Sequence, residues 1–547
     1  MNLFLLILTP LLAALAIMLA APQSARRIAS LGALLTLALA VDACVRFSWS
    51  AAEHFQFQAR IWELGETGIG LSVGIDSISL WLVLLTALLQ PLCVWGSYSA
   101  ITERVKTYYA WLMALEAVML GVFVARDLIF FYICFEFTLL PMFVLISLYG
   151  STNRRKAAIK FFLYTFTGSI IALAGLVYVA WRAAEGRASW TFDIAELQQA
   201  AAGMTPKEQA WVMGAMLAGF AVKVPLFPLH TWLPLAHTEA PTAGSVILAG
   251  VLLKLGTYAI FRFVLPFVPL AVSRFAEPIA LLCIAGIIYG GLICWVQHDV
   301  KKLVAYSSVA HLGFCMLGMF ALNGIGLAGS IMYMINHGLS TGALFFCVGM
   351  MYERYHTRNL NEIGGLAARM PVWTFFLTLF TLSSVGLPGL NGFVGEFFCL
   401  LGAYQSGSEG QGVGGTPGPL GAWYAVAAGT GMIIAAIYLL AMLGRVAFGP
   451  LKEPGGHGHG TSAGHHSDAG DAESGRLPPD LTWREIGVLT PLAVACIALG
   501  VFPTPVLRTL ESPIEQTLSI LHAPAGAVPE RQVSAPESPV SHTEARP

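Results

Sequence analysis

The chain has 547 residues, of which 56% are hydrophobic and 11% charged, with a formal net charge of −1. An ordinary soluble domain is about 25% charged, so this composition excludes a soluble globule and points to an integral membrane protein. The near-zero charge leaves no basic footprint for nucleic acid.

Apolar runs predict fourteen spans, at residues 2–22, 28–47, 76–100, 107–125, 128–149, 159–181, 208–235, 241–265, 276–297, 301–320, 325–352, 371–402, 419–449 and 484–505. These runs do not alternate, as the strands of a membrane barrel would, so the fold class is an all-α polytopic membrane protein. The first run is long enough to span, and Arg26 and Arg27 follow it, unlike the charges of a cleaved signal peptide. Lys and Arg are modestly enriched in the loops after odd-numbered spans, with Arg154, Arg155 and Lys156 the clearest marker. The positive-inside rule puts those loops in the cytoplasm and both termini outside.

Two segments read as non-membrane. Residues 452–482 are rich in Gly, His, Pro and Ser, and residues 508–547 in Pro and polar side chains; both predict solvated, disordered chain. The tract with His457, His459, His465 and His466 reads as linker ahead of a metal site. Deleting residues 455–470 is therefore expected to change neither assembly nor transport. Loss of assembled protein on a native gel would show that the loop docks to a neighbour. The nine cysteines never form C-x-x-C and fall in apolar runs, so they read as small buried hydrophobes and not as iron–sulfur or zinc ligands.

Charges remain inside the spans: Glu116, Glu136, Lys223, Lys254 and Glu396. Each costs about 2.5–3.5 kcal/mol at the bilayer centre on insertion scales, so such residues face protein or water and mark ion or proton paths. Buried ion pairs that only fix packing are a poorer explanation, because such pairs stabilise little. A nearby carboxylate holds a proton on a lysine. Moving Glu136 relative to Lys223 would therefore switch the lysine's proton affinity. His311 and His337 also sit in apolar runs, among Ser, Thr, Asn and Tyr, and suit relay work. His230 and His237 lie nearer one end of span 7 and are weaker candidates for proton access.

The spans that carry these charges are interrupted. Lys223 precedes Pro225 and Pro228, and residues 386–392, GLPGLNG, precede Glu396. Irregular backbone at membrane depth is tolerated where protein or water lines it. Two broken spans in corresponding positions point to inverted repeats. Spans 4–8 (residues 107–265) and 9–13 (266–450) are the natural halves, preceded by spans 1–3 (1–106) and followed by the loop 451–483, span 14 (484–507) and the tail 508–547. Laying residues 222–226 over 385–389 superposes Pro225 on Pro388 and puts Gly386 where the first half has its lysine. Residues 324–329, GIGLAG, match G-x-G-x-x-G, but no strand precedes them, so close helix packing is the reading. No P-loop is present.

On residues 221–234 (AVKVPLFPLHTWLP), 240–246 (APTAGSV), 305–311 (AYSSVAH) and 387–397 (LPGLNGFVGEF), the chain resembles the antiporter-like membrane subunits of respiratory complex I, the proton-pumping NADH:quinone oxidoreductase. The first three stretches are shared with cation/proton antiporters. Gly395-Glu396-Phe397 selects the member that carries glutamate where sister subunits more often carry lysine. The resemblance implies that Glu136 and Lys223 are a paired switch, Lys254 a central relay, His311 and His337 a polar axis, and Glu396 the outer proton site, with Glu116 a weaker member. It also implies no cofactor in this chain: flavin, iron–sulfur clusters, NADH and quinone belong to partner subunits. The partners implied are sister membrane subunits, the lipid bilayer and protons, in a bacterial inner membrane. The alternatives are a cation/proton antiporter subunit, a membrane-bound hydrogenase-type pump module, and a purely structural scaffold.

Overall fold

The structure, a computed structural model, describes residues 2–64, 67–185, 190–407, 418–454 and 479–522. Eleven of its helices are long and apolar enough to cross a membrane. The remaining three expected spans are Phe4–Leu19, which is short, and the two interrupted ones. Span 7 is Pro206–Lys223 followed, after a non-helical stretch, by Leu233–Glu239; span 12 is Pro371–Val385 followed by Asn391–Gln405. Both breaks fall at the prolines that the sequence places there, because proline supplies no backbone donor and clashes with the preceding turn.

Burial sorts the spans. Every residue of the most apolar stretches of span 8, Thr242–Phe267, and span 11, Gly324–Tyr355, is buried, and span 10, Val300–Phe320, is nearly so. Span 2 (Ala25–Arg46), span 13 (Ala422–Ala447) and span 14 (Trp483–Val501) keep apolar side chains such as Leu31, Ile433 and Val494 on the outside. An apolar outer face and a polar-containing centre is the arrangement that a lipid solvent selects.

Span 6 begins at Arg154, earlier than expected, so Arg154, Arg155 and Lys156 form its first turn. The G-x-G-x-x-G stretch opens span 11: Asn323 caps that helix by accepting from Gly326 N at 2.8 Å, and donates to Gly402 O of span 12 at 2.7 Å. Two extramembrane elements were not expected. An antiparallel hairpin, Gln56–Glu63 with Gly70–Ile75, joins spans 2 and 3. A short helix, Ile194–Ala201, lies between spans 6 and 7, capped by Asp193.

The tail expectation needs correction. Thr504–Leu521 is a helix, not disordered chain. Val506, Leu510, Ile514, Thr517 and Leu521 recur at helical spacing and are buried, so the segment has an apolar stripe that pays for its order. Thr509 Oγ1 accepts from Trp81 Nε1 at 2.9 Å and Ser512 Oγ donates to Glu53 Oε2 at 2.6 Å, tying it to the body. The His-rich tract and residues 523–547 lie outside the described residues.

Candidate functional site: a buried polar path

Lys223 ends the first half of span 7, where unsatisfied helix carbonyls favour a cation. Its Nζ donates to Thr138 Oγ1 at 3.0 Å and to Phe135 O at 3.3 Å, and sits 4.2 Å from the centre of the Phe135 ring. These groups belong to span 5, which is interrupted at Thr138 between Leu128–Phe137 and Leu139–Tyr149. Glu136 stands in this irregular turn beside Lys223, but the ammonium takes its chain neighbours instead, and Glu136 Oε1 is buried with no hydrogen-bond partner. The expected pair is thus adjacent but not joined by a hydrogen bond.

Lys254 is fully buried at the centre of span 8. The span is locally widened on both sides of it, as π-turns at Leu248–Leu252 and Ile260–Val264. Such bulges recur at functional sites because they leave backbone groups free for other partners. The Nζ of Lys254 donates to Ala249 O and lies 2.6 Å from His337 Nδ1 on span 11. The His337 and His311 rings are 5.9 Å apart between centres, from span 11 to span 10. His311 Nδ1 lies 3.1 Å from Glu396 Oε1 on the second half of span 12. Both histidines and Glu396 are buried. A polar path therefore runs from span 8 through spans 11 and 10 to span 12. His311 and His337, with Thr341 and Ser384, line a narrow crevice. His311 Nε2, His337 Nε2, Thr341 Oγ1 and Ser384 Oγ have no hydrogen-bond partner. Buried polar groups are normally satisfied, so such orphans call for an explanation beyond packing.

Glu396 depends on the break before it. Gly386 caps the first half of span 12 with φ +81°, and a Cβ there would lie 2.6 Å from Glu396 Oε2. Glycine is therefore required where the repeat alignment expects a lysine: the carboxylate fills the space. Gly386→Ala is expected to lose about 1–2 kcal/mol from the left-handed backbone alone and to displace Glu396. A lower unfolding midpoint together with reduced transport checks this; unchanged transport would show that the carboxylate tolerates the shift. The break is also latched, since Asn336 Nδ2 donates to Asn391 O at 2.6 Å and Ser383 Oγ to Asn391 Oδ1 at 2.5 Å.

The weaker candidates are placed elsewhere. Glu116 is fully buried near Cys93, and neither of its oxygens has a hydrogen-bond partner. His230 lies in the break of span 7 among the rings of Phe227, Tyr289 and Tyr306. His237 stacks on Phe345 at 4.7 Å with both ring nitrogens unpartnered, within electrostatic reach of Lys254 and Lys301.

Residues 125–410 match the family model described as NADH:quinone oxidoreductase/Mrp antiporter, TM. The chain belongs to this family. Among its relatives, "NADH-quinone oxidoreductase subunit M" of Rhodobacter capsulatus is 39% identical over 466 residues, 84% of each chain. Among solved structures, a chain of respiratory complex I from Thermus thermophilus with bound NADH superposes with a TM-score of 0.80 at 28% identity, covering 95% of this chain and 100% of that one. A chain of the Mrp complex from Dietzia sp. DQ12-45-1b shares the fold, with a TM-score of 0.78 at 21% identity over 95% of this chain and 98% of that one.

In this member of the NADH:quinone oxidoreductase/Mrp antiporter family, three polar groups escaped the sequence reading. Tyr333 touches both His311 Nδ1, at 2.6 Å, and Glu396 Oε1. Its spacing of four from His337 puts both on one helix face, which was the available signal. Lys301 looked like a loop charge at the start of span 10, yet it is buried with Nζ donating to Ala240 O at 2.5 Å. Arg262 pairs with Asp76 at 2.6 Å, two turns beyond Lys254 in span 8.

Proposed function

We propose that this chain is the M-type (chain 4) membrane subunit of a proton-pumping NADH:quinone oxidoreductase, and that it moves protons through Glu136, Lys223, Lys254, His337, His311 and Glu396. Family membership, the relative's name and the complex I likeness support the assembly. The observation that carries the transport role is the path Lys254–His337–His311–Glu396, in which titratable groups from four spans meet in the buried centre. A scaffold has no use for four such groups at that cost.

In this reading Lys223 and Glu136 form a charge switch. With the carboxylate close, Lys223 keeps its proton; with it withdrawn, the proton moves on toward Lys254. Lys254 passes it to His337, which already faces it at Nδ1, and the histidines pass it to Glu396. Energy comes from partner subunits, where flavin, iron–sulfur clusters and quinone are placed in this proposal. The same proposal sets the protein in a bacterial inner membrane with both termini periplasmic, sister antiporter-like subunits as neighbours, and His230 and His237 as access groups at the cytoplasmic end.

Affinity purification of the chain with its partners tests the assembly. The expected product is a flavin-containing complex that oxidises NADH with quinone and acidifies vesicles. A flavin-free assembly that exchanges sodium or potassium for protons would overturn the reading in favour of an Mrp-type antiporter.

A further inference from the structure

Buried polar groups that the relay leaves unused include the Glu116 carboxyl, the Arg262–Asp76 pair, Lys301 and the Tyr333 hydroxyl. Of these four, the last touches two proton sites at once. Tyr333 Oη, His311 Nδ1 and Glu396 Oε1 are mutually within hydrogen-bond distance, with His311 Nδ1 at 2.6 Å from the hydroxyl and 3.1 Å from the carboxylate. All three residues are buried. The two atoms at the outer ends of this trio, His311 Nε2 and Glu396 Oε2, have no hydrogen-bond partner. The first belongs to the ring that lines the crevice with His337; the second points to Gly386.

From this geometry we propose that Tyr333 is a proton-carrying residue of the pump, whose hydroxyl hands protons from His311 to Glu396 and ties the histidine's tautomer to the charge of the carboxylate. The inference rests on the relay reading above. Its logic is a count of protons. A tyrosine hydroxyl carries one hydrogen and can donate to one acceptor at a time. While Glu396 is ionised, the hydroxyl donates to Oε1, and Nδ1 of His311 can only be N–H, because it faces two oxygens whose hydrogen is already committed. Nε2 is then bare. A proton arriving at Nε2 makes the ring cationic. The Nδ1–H bond then breaks as its proton bonds to Tyr333 Oη, and the Oη–H bond breaks as that proton bonds to Glu396 Oε1. One proton has entered at Nε2 and one has joined Glu396; Tyr333 keeps one, and the ion pair of imidazolium and carboxylate becomes two neutral groups. Afterwards the hydroxyl points back at Nδ1 and His311 is the Nε2–H tautomer. It does not take a second proton at Nε2 while Glu396 remains loaded. The tyrosine thereby makes transfer single-file.

The direct His311–Glu396 contact survives in Tyr333→Phe, so transfer is expected to slow and not to vanish. In vesicles holding the assembled complex, the initial proton-uptake rate per complex should fall to less than half. The second variant is 3-fluorotyrosine at position 333, which keeps shape and hydroxyl but is more acidic. It should restore pumping and displace the pH profile of the rate. The other titratable groups facing the trio, Tyr438 of span 13, Cys399 of span 12 and His337 of span 11, are unchanged in both variants. A hydroxyl that only fills space would leave the profile where it is. Wild-type pumping in Tyr333→Phe, or an unmoved profile with fluorotyrosine, would overturn the inference; if the phenylalanine variant does not assemble, the fluorotyrosine profile decides alone. Glu396→Gln measured alongside separates the two levels: if it pumps normally the relay itself is wrong, and if it is impaired while Tyr333→Phe is normal, only the tyrosine's role is wrong.

Discussion

Glu396→Gln is expected to abolish most proton pumping while leaving the complex assembled, and Glu396→Asp to keep a good part of it. The amide is nearly isosteric, and its carbonyl can accept from Tyr333 as Oε1 does, so packing and that hydrogen bond persist. The ability to take a proton is lost. The demand on this group can be sized. Expelling one charge against 100 mV costs about 2.3 kcal/mol. A charge arriving or leaving beside the carboxylate is the means of supplying it, and His311, at 3.1 Å, is placed to be that charge. In the proposed relay, the unpartnered Oε2 beside Gly386 is the second oxygen from which the proton leaves. Proton uptake by vesicles, normalised to assembled complex, is the measurement. Wild-type uptake in the glutamine variant would mean that the exit runs through another group.

What the sequence reveals of this protein follows the strength of each physical signal. The spans are legible because a lipid solvent demands long apolar runs, and the breaks in spans 7 and 12 because Pro225, Pro228 and Pro388 interrupt them. The buried charges are legible because each is costly and stands alone in an apolar run. The interruption of span 5 at Thr138 has its trace in Pro141, which supplies no donor to the carbonyl of Phe137, but the sequence reading passed over it. The widened turns around Lys254 left no such trace: residues 248–264 hold no proline. The Thr504–Leu521 helix was obscured by Pro505 and Pro513 and by the polar residues between its buried positions. Tyr333 and Lys301 were hidden for opposite reasons. A tyrosine in an apolar helix reads as core until its contacts are known, and a lysine at a helix start reads as solvated until Ala240 O is seen to receive it. Where function depends on a meeting of four spans, spacing along one of them carries only part of the message.

Lys223→Ala and Lys223→Arg should both reduce pumping by at least about a hundredfold, the low end of the range of about 10²–10⁴ that a positioned proton-transfer group contributes to catalysis. They should differ in what they report. Alanine removes a charge whose partners do not need it. Thr138 Oγ1 already donates to Phe135 O at 2.7 Å, so both acceptors of the ammonium stay satisfied, and no hydrogen bond to Glu136 is lost. Assembly should therefore survive the truncation. Arginine keeps the positive charge beside Glu136 and the stacking on Phe135, so a role limited to packing or to fixing a charge would tolerate it. It does not deprotonate in proteins, so a role as carrier would not. The discriminating case is the arginine variant with normal assembly. If its vesicles acidify at the wild-type rate, Lys223 is a fixed charge at the break of span 7 and the switch with Glu136 moves no proton. If they fail as the alanine vesicles fail, loss of titration is the shared cause, and the separation between Lys223 and Glu136 becomes the coordinate along which partner subunits drive the pump.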